Sequence, residues 1–257
     1  MIHRQLGLTL VLLLCLLSPV SAQSFSIAGA VNQPGDHPWH PDARLRDAVI
    51  AGQVQAQAWF LGAALLRQSA VEPQQRLKAG ILFELQVNRL HANVQNDSEL
   101  AALIDRLSRD VTGMPVNGRI RAQLDPFQLL LAQHNRPLET GDKLIYPTRP
   151  KQIRIMGAVT ADCALPFDPR LTLRQYLRQC PPHPAADPDQ VYVIQPDASV
   201  QQAGIALWNE QQINLAVGAV IYRPLRSSAI IPETAGLNSD LAHFLATQYQ
   251  LGGRFSE

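Results

Sequence analysis

The sequence predicts a mixed α+β protein built from two small domains in tandem. The first observation is an internal repeat, since residues 25–31 align with residues 153–159 at an offset that continues without a gap to Val49 and Leu177. The second is a long helical pattern that only the first copy contains. A chain of 257 residues, 46% of them hydrophobic and 17% charged, is long enough for two cores and too apolar to be disordered.

The first 22 residues have the pattern of a cleaved secretory signal. Arg4 supplies the positive charge, residues 6–17 form an apolar run, and residues 20–22 offer a cleavage site before Gln23. The run is shorter than the about 20 apolar residues that a membrane anchor needs. We therefore expect an exported protein without stable membrane insertion.

The exported chain is expected to carry no net charge. Removal of Arg4 leaves 21 of the 22 basic side chains, which balance the 21 acidic ones. A nucleic-acid-binding protein needs a net positive field, and a membrane-surface segment needs clustered Lys and Arg. Neither feature is present in the sequence, so we expect no nucleic-acid partner.

Each copy of the repeat predicts the same series of elements. In the first copy a strand ends at Gly29, a turn and a short strand follow, a helix begins at Leu45, and Gly141 turns into a final apolar strand. The matching positions of the second copy are Gly157, Leu173 and Gly218. We expect a first domain at residues 23–150 and a second at residues 151–228. A single mixed α+β domain with accidental similarity is the alternative.

An insert at about residues 53–111 has no counterpart in the second copy and is predicted to be helical. Its apolar side chains recur at helical spacing in three stretches, separated by a break at residues 71–73 and a capping pattern at residues 96–99. The three apolar faces are Val54, Ala58, Leu61 and Leu65; Leu77, Ile81 and Leu85; and Leu100, Leu103, Ile104, Leu107 and Val111. Because an apolar helical face must be buried, we expect this insert to pack on the second domain as a clamp.

The C-terminal segment, residues 229–257, is predicted to carry an amphipathic helix over residues 238–251, with Leu241, Phe244 and Leu245 on one side. Such a helix can enter a membrane, bind a partner or dock on its own domain. Its polar face is not basic, which argues against membrane binding. Docking on its own domain is the preferred prediction.

Two cysteines remain after cleavage, Cys163 and Cys180. In an exported protein, an even pair at short separation is more often a disulfide than a metal or catalytic site, so we predict a disulfide. His37 and His40 have a spacing that can suit a metal, but the sequence around them has no carboxylate or cysteine pattern. We therefore predict no metal and no cofactor.

The order of these parts resembles a known family. A strand, Gly-Ala-Val, a proline-rich turn, a Leu-led helix and a closing Gly-Asp-x-Leu-x-Tyr-Pro resemble the soluble-ligand-binding β-grasp repeats of polysaccharide-export proteins. With the signal sequence, insert and terminal helix, nearly the whole mature chain is similar to the GfcC-type capsule-biosynthesis family, most specifically at residues 115–119 and 124–126. The resemblance implies tandem β-grasp (ubiquitin-like) domains, a helical-hairpin insert in the first, and a C-terminal amphipathic helix.

The same resemblance implies a function. It suggests a periplasmic, non-enzymatic protein for the assembly or export of capsular or other extracellular polysaccharide in a Gram-negative bacterium. The implied partners are the polysaccharide export machinery or an outer-membrane protein, and the glycan itself is a further candidate. The alternative is a periplasmic enzyme that modifies or hydrolyses the polysaccharide. The sequence contains no catalytic motif, which favours the first hypothesis.

Arg119 and Arg121 are the candidate binding-site residues. Strand alternation puts both on the face opposite Ile120. Such a pair is usually solvated, but this strand directly follows the insert, so the insert and the second domain can cover Arg119. A guanidinium held there can organise backbone carbonyls or bind an anionic sugar or phosphate. The family likeness at Gly118 and Arg119 makes Arg119 the preferred residue.

Three other side chains have both a structural and a functional interpretation. Trp39 aligns with Phe167 and is predicted to be a core anchor rather than a platform for sugar stacking. Asp125 and Asp142 can be imagined as a glycosidase pair, but both stand in turns where aspartate favours local hydrogen bonds. We therefore predict structural roles for all three and no catalytic residue.

Overall fold

The computed structural model describes residues 23–251, 254 and 255. The signal sequence predicted for residues 1–22 lies outside these described residues. The helices are α1 (Leu45–Gly52), α2 (Val71–Val94), α3 (Ser98–Gly113), α4 (Leu173–Leu177) and α5 (Leu237–Ala246), with single 3-10 turns at Phe60–Gly62, Gln68–Ala70, Gln128–Leu130, Ser227–Ala229 and Pro232–Thr234. The strands are β1 (Ser24–Gly29), β2 (Gly35–Pro38), β3 (Ala64–Leu66), β4 (Arg119–Ile120), β5 (Lys143–Tyr146), β6 (Gln152–Gly157), β7 (Cys163–Pro166), β8 (Gln190–Ile194), β9 (Val200–Gly204), β10 (Val220–Arg223), β11 (Gln250–Leu251) and β12 (Arg254–Phe255).

The two halves of the chain each form a five-stranded mixed sheet. The strand orders are β2-β1-β5-β3-β4 and β7-β6-β10-β8-β9. If β6 to β10 are counted as strands 1 to 5 of their sheet, both orders are 2-1-5-3-4. In each sheet the first strand runs parallel to the last, as β1 with β5 and β6 with β10, and the other neighbours are antiparallel. The predicted α+β class is confirmed, and the sequence repeat corresponds to two sheets of the same topology.

The glycine that ends the first strand of each sheet is required by the closing strand beside it. Gly29 has φ +94° and Gly157 has φ +101°. A Cβ on Gly29 would lie 2.1 Å from the carbonyl oxygen of Tyr146, and one on Gly157 would lie 2.4 Å from that of Arg223. The strand register pairs the same residues, Gly29 with Tyr146 and Gly157 with Arg223. The repeated Gly-Ala-Val therefore marks a point where only glycine fits.

Three large apolar cores and one small cluster, of Ala64, Leu66, Ile145 and Tyr249, hold the described residues together. The first lies between the first sheet and α1 and includes Ile27, Leu45 and Leu144. The second lies between the second sheet and α4 and includes Ile153 and Ile221. The largest core joins the opposite face of the second sheet to α2, α3 and α5. The second sheet is thus covered on both faces, and one cover comes from the first half of the chain.

The N-terminal part of the predicted helical insert is not helical. The helix predicted through Val54, Ala58, Leu61 and Leu65 is replaced by a 3-10 turn and strand β3, which pairs with β5 and β4. The apolar spacing suits a helix, but β3 completes the first sheet and all three of its residues are buried, so tertiary pairing overrides the local pattern. Residues 53–66 therefore belong to the domain, and β8 takes the matching place in the second sheet.

The helical part of the insert is the α2–α3 hairpin. The predicted break at residues 71–73 is instead the first turn of α2, because proline is tolerated in the first turn of a helix. Asp97 caps α3, since its carboxylate accepts a hydrogen bond from the Leu100 backbone N–H at 2.9 Å. Ile81, Leu85 and most of the apolar face of α3 lie in the largest core, against the second sheet. The hairpin thus packs where the sequence predicted.

The C-terminal helix packs on the same core. It spans Leu237–Ala246, shorter than the predicted 238–251, and Leu241, Phe244 and Leu245 are buried. Two asparagines anchor this segment, Asn88, which is buried, and Asn238, which is partly buried. Asn238 bonds both backbone groups of Leu225, and Asn88 of α2 accepts a hydrogen bond from the Ile231 backbone N–H at 2.9 Å. Among the described residues, none of the helices has the length and apolarity needed to cross a membrane.

Cys163 and Cys180 form a disulfide that ties β7, an edge strand of the second sheet, to the end of α4. Replacing both cysteines by serine should lower the free energy of unfolding by about 3 kcal/mol, because the 17-residue separation no longer restrains the unfolded chain. Urea titration of the oxidised protein checks this value. Under reducing conditions the natural and variant chains should unfold at the same urea concentration; a persistent difference would show that the serines themselves disturb the fold.

Candidate functional site

Arg119 lies at the junction of the two halves of the chain, and contacts to the backbone of residues 118 and 119 fix its position. Gly118 has φ +73°, and a Cβ there would lie 2.3 Å from the carbonyl oxygen of Arg67, so only glycine fits before Arg119. The Gln74 side chain, from α2, accepts from the Gly118 N–H at 3.0 Å and donates to the Arg119 carbonyl at 2.8 Å. The Asn117 side chain accepts from the Arg119 N–H at 2.9 Å. The insert thereby sets the direction of Arg119.

The Arg119 guanidinium joins three segments through backbone carbonyls. It donates to the carbonyl of Ala246, the last residue of α5, at 3.3 Å and to the carbonyl of Gln248, two residues further, at 2.7 Å. It also donates to the carbonyl of Pro196, in the turn after β8. The residue is 7% exposed. Burial lowers the pKa of Arg119 to about 10, against the attraction of Asp197 and Tyr249. The side chain remains a cation at neutral pH, and carbonyl oxygens stabilise that charge.

The space beside Arg119 suits this organising role. Arg119 lines a cavity of about 20 Å³ together with Trp59, Gln248 and Tyr249. A cavity of that size holds about one water molecule and is far too small for a sugar. Of the two roles that the sequence left open for Arg119, the geometry therefore fits the organisation of backbone carbonyls.

Arg121, two residues along, faces the solvent. Its side chain is 65% exposed and pairs with Asp197 at 3.0 Å. Asp197 in turn accepts hydrogen bonds from the backbone N–H and the hydroxyl of Ser199, at 2.9 and 2.6 Å. Partial burial opposes ionisation, but the hydrogen bonds from Ser199 and Arg121 hold the pKa of Asp197 below its usual range. The two candidate arginines therefore have different roles, one buried and one at the surface.

An open crevice of about 350 Å³ adjoins this ion pair between the first domain and the Asp197 turn. We call it the Arg121 cleft; it is lined by Phe60, Leu61, Arg121, Gln123, His134, Arg136 and Asp197. Two arginines face a single carboxylate there, and Leu61 is 45% exposed. An apolar wall with an excess of guanidinium groups can bind a sugar ring that carries an acidic group, or an acidic segment of a protein.

Two further arginines make structural contacts that sequence reasoning missed, Arg106 between the two halves of the chain and Arg67 within the first half. Arg106 of α3 donates to the carbonyls of Gly157 and Val159 at 2.8 and 2.6 Å, which ties the insert to the end of β6. Arg67, directly after β3, forms a paired contact with Asp142 at 2.9 and 2.7 Å. Arg106 has the pattern of an ordinary polar-face residue in its helix. Arg67 has no distinctive local sequence pattern. The only sequence signal for its ion pair was the Gly-Asp turn that contains its partner, Asp142.

The remaining sequence candidates have local structural contacts. Trp39 packs on the first core and donates to the Leu138 carbonyl at 2.9 Å. The Asp142 carboxylate is fully buried and engaged by Arg67, while Asp125 accepts from the Phe127 backbone N–H at 2.9 Å. Within the described part of the chain, His37 and His40 belong to no group of three or more metal-binding side chains.

Comparison with known proteins assigns both halves of the chain. Residues 30–149 match the family model described as capsule biosynthesis GfcC, N-terminal, and residues 161–249 match the one described as capsule biosynthesis GfcC C-terminal. The chain is also 26% identical over 198 residues to a protein of Escherichia coli (strain K12) named uncharacterized protein YjbG, covering 76% of this chain and 79% of that protein. The two family matches include the α2–α3 hairpin, the Arg119 junction and every strand of the two five-stranded sheets except the first of each, β1 and β6. The chain belongs to the GfcC capsule biosynthesis family.

Proposed function

We propose that this protein is a non-enzymatic periplasmic accessory factor for the assembly or export of capsular or other extracellular polysaccharide. The observation that carries the proposal is the match of both halves of the chain to capsule biosynthesis models. Its partners on this proposal are the polysaccharide export machinery or an outer-membrane protein, with the glycan as a further ligand.

The finer fold assignment, two tandem β-grasp domains, is part of the proposal. Both sheets have the strand order 2-1-5-3-4 with a parallel central pair, and each packs a helix, α1 or α4, against one face. This is the arrangement that the family resemblance implies. On this view the α2–α3 hairpin and α5 are additions that cover the free face of the second sheet.

Two features support location in the periplasm. The N-terminal sequence has the three parts of a secretory signal. The disulfide between Cys163 and Cys180 suits an oxidising compartment. A fusion of a reporter that is active only after export, placed after residue 257, should therefore be active with residues 1–22 present and inactive without them.

The geometry favours a role in binding over one in catalysis. The carboxylate of Asp142 is buried and already paired with Arg67, so it cannot act as a catalytic acid or base without breaking that pair. The Arg121 cleft offers a ligand two guanidinium groups, of Arg121 and Arg136, which recognise anions, beside the side chains of Gln123, His134 and Asp197. This supports contact with an acidic glycan or an acidic partner surface.

Deleting the gene in its bacterial host and staining for surface polysaccharide tests the proposal. We expect loss of surface polymer, restored by the natural gene but not by a version lacking codons 1–22. The purified mature protein should release no new reducing ends from the purified polysaccharide. Normal surface polymer in the deletion strain would contradict the role, while release of reducing ends that depends on the protein would establish the enzymatic alternative.

A further inference from the structure

The second sheet has a buried cation where the first sheet has a core tyrosine. The strand registers make Tyr146 and Arg223 equivalent, since each lies beside the glycine that ends the first strand of its sheet. Tyr146 is fully buried and donates its hydroxyl proton to the Leu124 carbonyl at 3.1 Å. Arg223 is 9% exposed. It lies two residues after Ile221, so it is on the α4 side of β10.

Arg223 has no acceptor for its charge. Its guanidinium makes no hydrogen bond or ion pair with any residue that the structure describes, and its Nε is buried without a partner. A buried cation normally has a carboxylate or several carbonyls, as Arg119 has. The charge of Asp187 acts on Arg223 only through space, and burial lowers the pKa of Arg223 despite that attraction. An anion bound in the cleft would supply the acceptor that the described residues do not.

Arg223 opens into a cleft that already contains two more arginines. The cleft measures about 410 Å³, and Arg174 and Arg178 of the α4 segment line it with Arg223. Arg174 is partly neutralised, since it pairs with Glu210 at 2.8 Å and donates to the Ile205 carbonyl at 3.0 Å. Arg178 is exposed and forms no ion pair with the described residues. Two of the three guanidinium groups are therefore available to a ligand.

The other residues that line the cleft are apolar. Leu177, Pro182 and Leu207 lie along its walls. Leu207 is 86% exposed, and Trp208, next in the chain, is 77% exposed. Apolar walls with a few convergent polar groups are typical of small-molecule sites. The indole of Trp208, next in the chain to a lining residue, offers an exposed aromatic face.

We propose that this cleft, lined by Arg174, Arg178 and Arg223, binds a carboxylate or phosphate group carried on a sugar-sized ring. The forks of Arg223 and Arg178 would receive the oxyanion, because guanidinium matches carboxylate and phosphate oxygens in a bidentate manner. The ring would lie toward Leu207. This site is separate from the Arg119 junction and the Arg121 cleft, and it does not depend on the proposed role in polysaccharide export.

Calorimetric titration of the mature protein tests the site directly. The probes are glucuronate, which carries a carboxylate, glucose 1-phosphate, which carries a phosphate, and glucose as the neutral control. We expect one of the anions to bind at one site, more weakly as salt rises, and glucose not to bind. The anion that binds more tightly identifies the oxyanion. Absence of binding by both anions at millimolar concentrations would overturn the proposal.

Two substitutions separate a ligand-binding arginine from a structural one. Arg223→Met should weaken binding of the preferred anion by about tenfold or more and leave the melting temperature unchanged or higher, because it removes a desolvated charge that has no partner. Arg170→Ala, an exposed arginine paired with Asp168 outside the cleft, should leave binding unchanged. If Arg223→Met binds the anion as the natural protein does, or if Arg170→Ala weakens binding equally, the assignment is wrong.

Discussion

Arg119→Met is expected to lower the free energy of unfolding by about 3 kcal/mol, since it leaves buried carbonyls without a donor. Methionine keeps the apolar stem of the side chain but cannot donate to Pro196, Ala246 or Gln248. Burial of the guanidinium is itself unfavourable, as the lowering of its pKa to about 10 shows. The substitution removes this desolvation cost, which offsets part of the lost stability. Urea unfolding of the mature chain measures the difference.

The same substitution should loosen one part of the molecule before the rest. The C-terminal residues 246–248 lose their contact with β4, so their backbone amides should exchange with solvent faster, while those of β6 and β10 stay protected. Arg121→Met is the matched control. Its ion pair with Asp197 is exposed, so it should change stability by less than about 1 kcal/mol. Equal effects of the two substitutions would show that Arg119 does not hold the junction.

Sequence periodicity was sufficient to predict a helix where the segment packs along one continuous apolar face. The apolar faces of α3 and α5 were predicted because Leu100 to Val111 and Leu241 to Leu245 repeat at helical spacing and are buried in the largest core. Strand β3 was missed because three residues, Ala64–Leu66, are too short to show a period of two. Their conformation is set by β4 and β5 on either side, which are distant in the sequence.

The candidate site shows the same limit. Arg119 was singled out from its position after the insert and from the family likeness. In the structure its guanidinium is covered by the turn after β8, in the second half, and by residues 246–248, while the insert holds its backbone through Gln74. The carbonyls that surround it belong to residues 77 to 129 positions away, which no local pattern reveals. Arg223 was overlooked because it ends an apolar strand, and its lack of a partner is visible only once the cleft is formed.

The junction contacts join the two sheets as one body. Arg119 links β4 to the turn after β8, Arg106 links α3 to the end of β6, and Asn88 links α2 to the segment before α5. The largest core adds apolar contacts from α2 and α3 to the second sheet. A protein built in this way presents surfaces at fixed spacing, since relative motion of its domains would break buried hydrogen bonds and open a shared core.

Gly157→Ala should strongly destabilise the second domain. The new Cβ would lie 2.4 Å from the Arg223 carbonyl oxygen and 2.6 Å from the Tyr222 ring, at φ +101°. The carbonyl cannot move away freely, because it accepts the Ala158 backbone N–H at 2.8 Å. We expect the free energy of unfolding to fall by about 3 kcal/mol or more, from backbone strain and overpacking together.

Gly80→Ala provides the opposite case in the same molecule. Gly80 lies within α2, and a Cβ there meets no atom within 4 Å, so the substitution should raise the free energy of unfolding by about 1 kcal/mol through helix propensity alone. Thermal and urea unfolding of both variants measure the pair of effects. If Gly157→Ala were tolerated as well as Gly80→Ala, the close approach of β10 to the end of β6 would be wrong. The strand register that makes Arg223 the counterpart of Tyr146 would then be wrong with it.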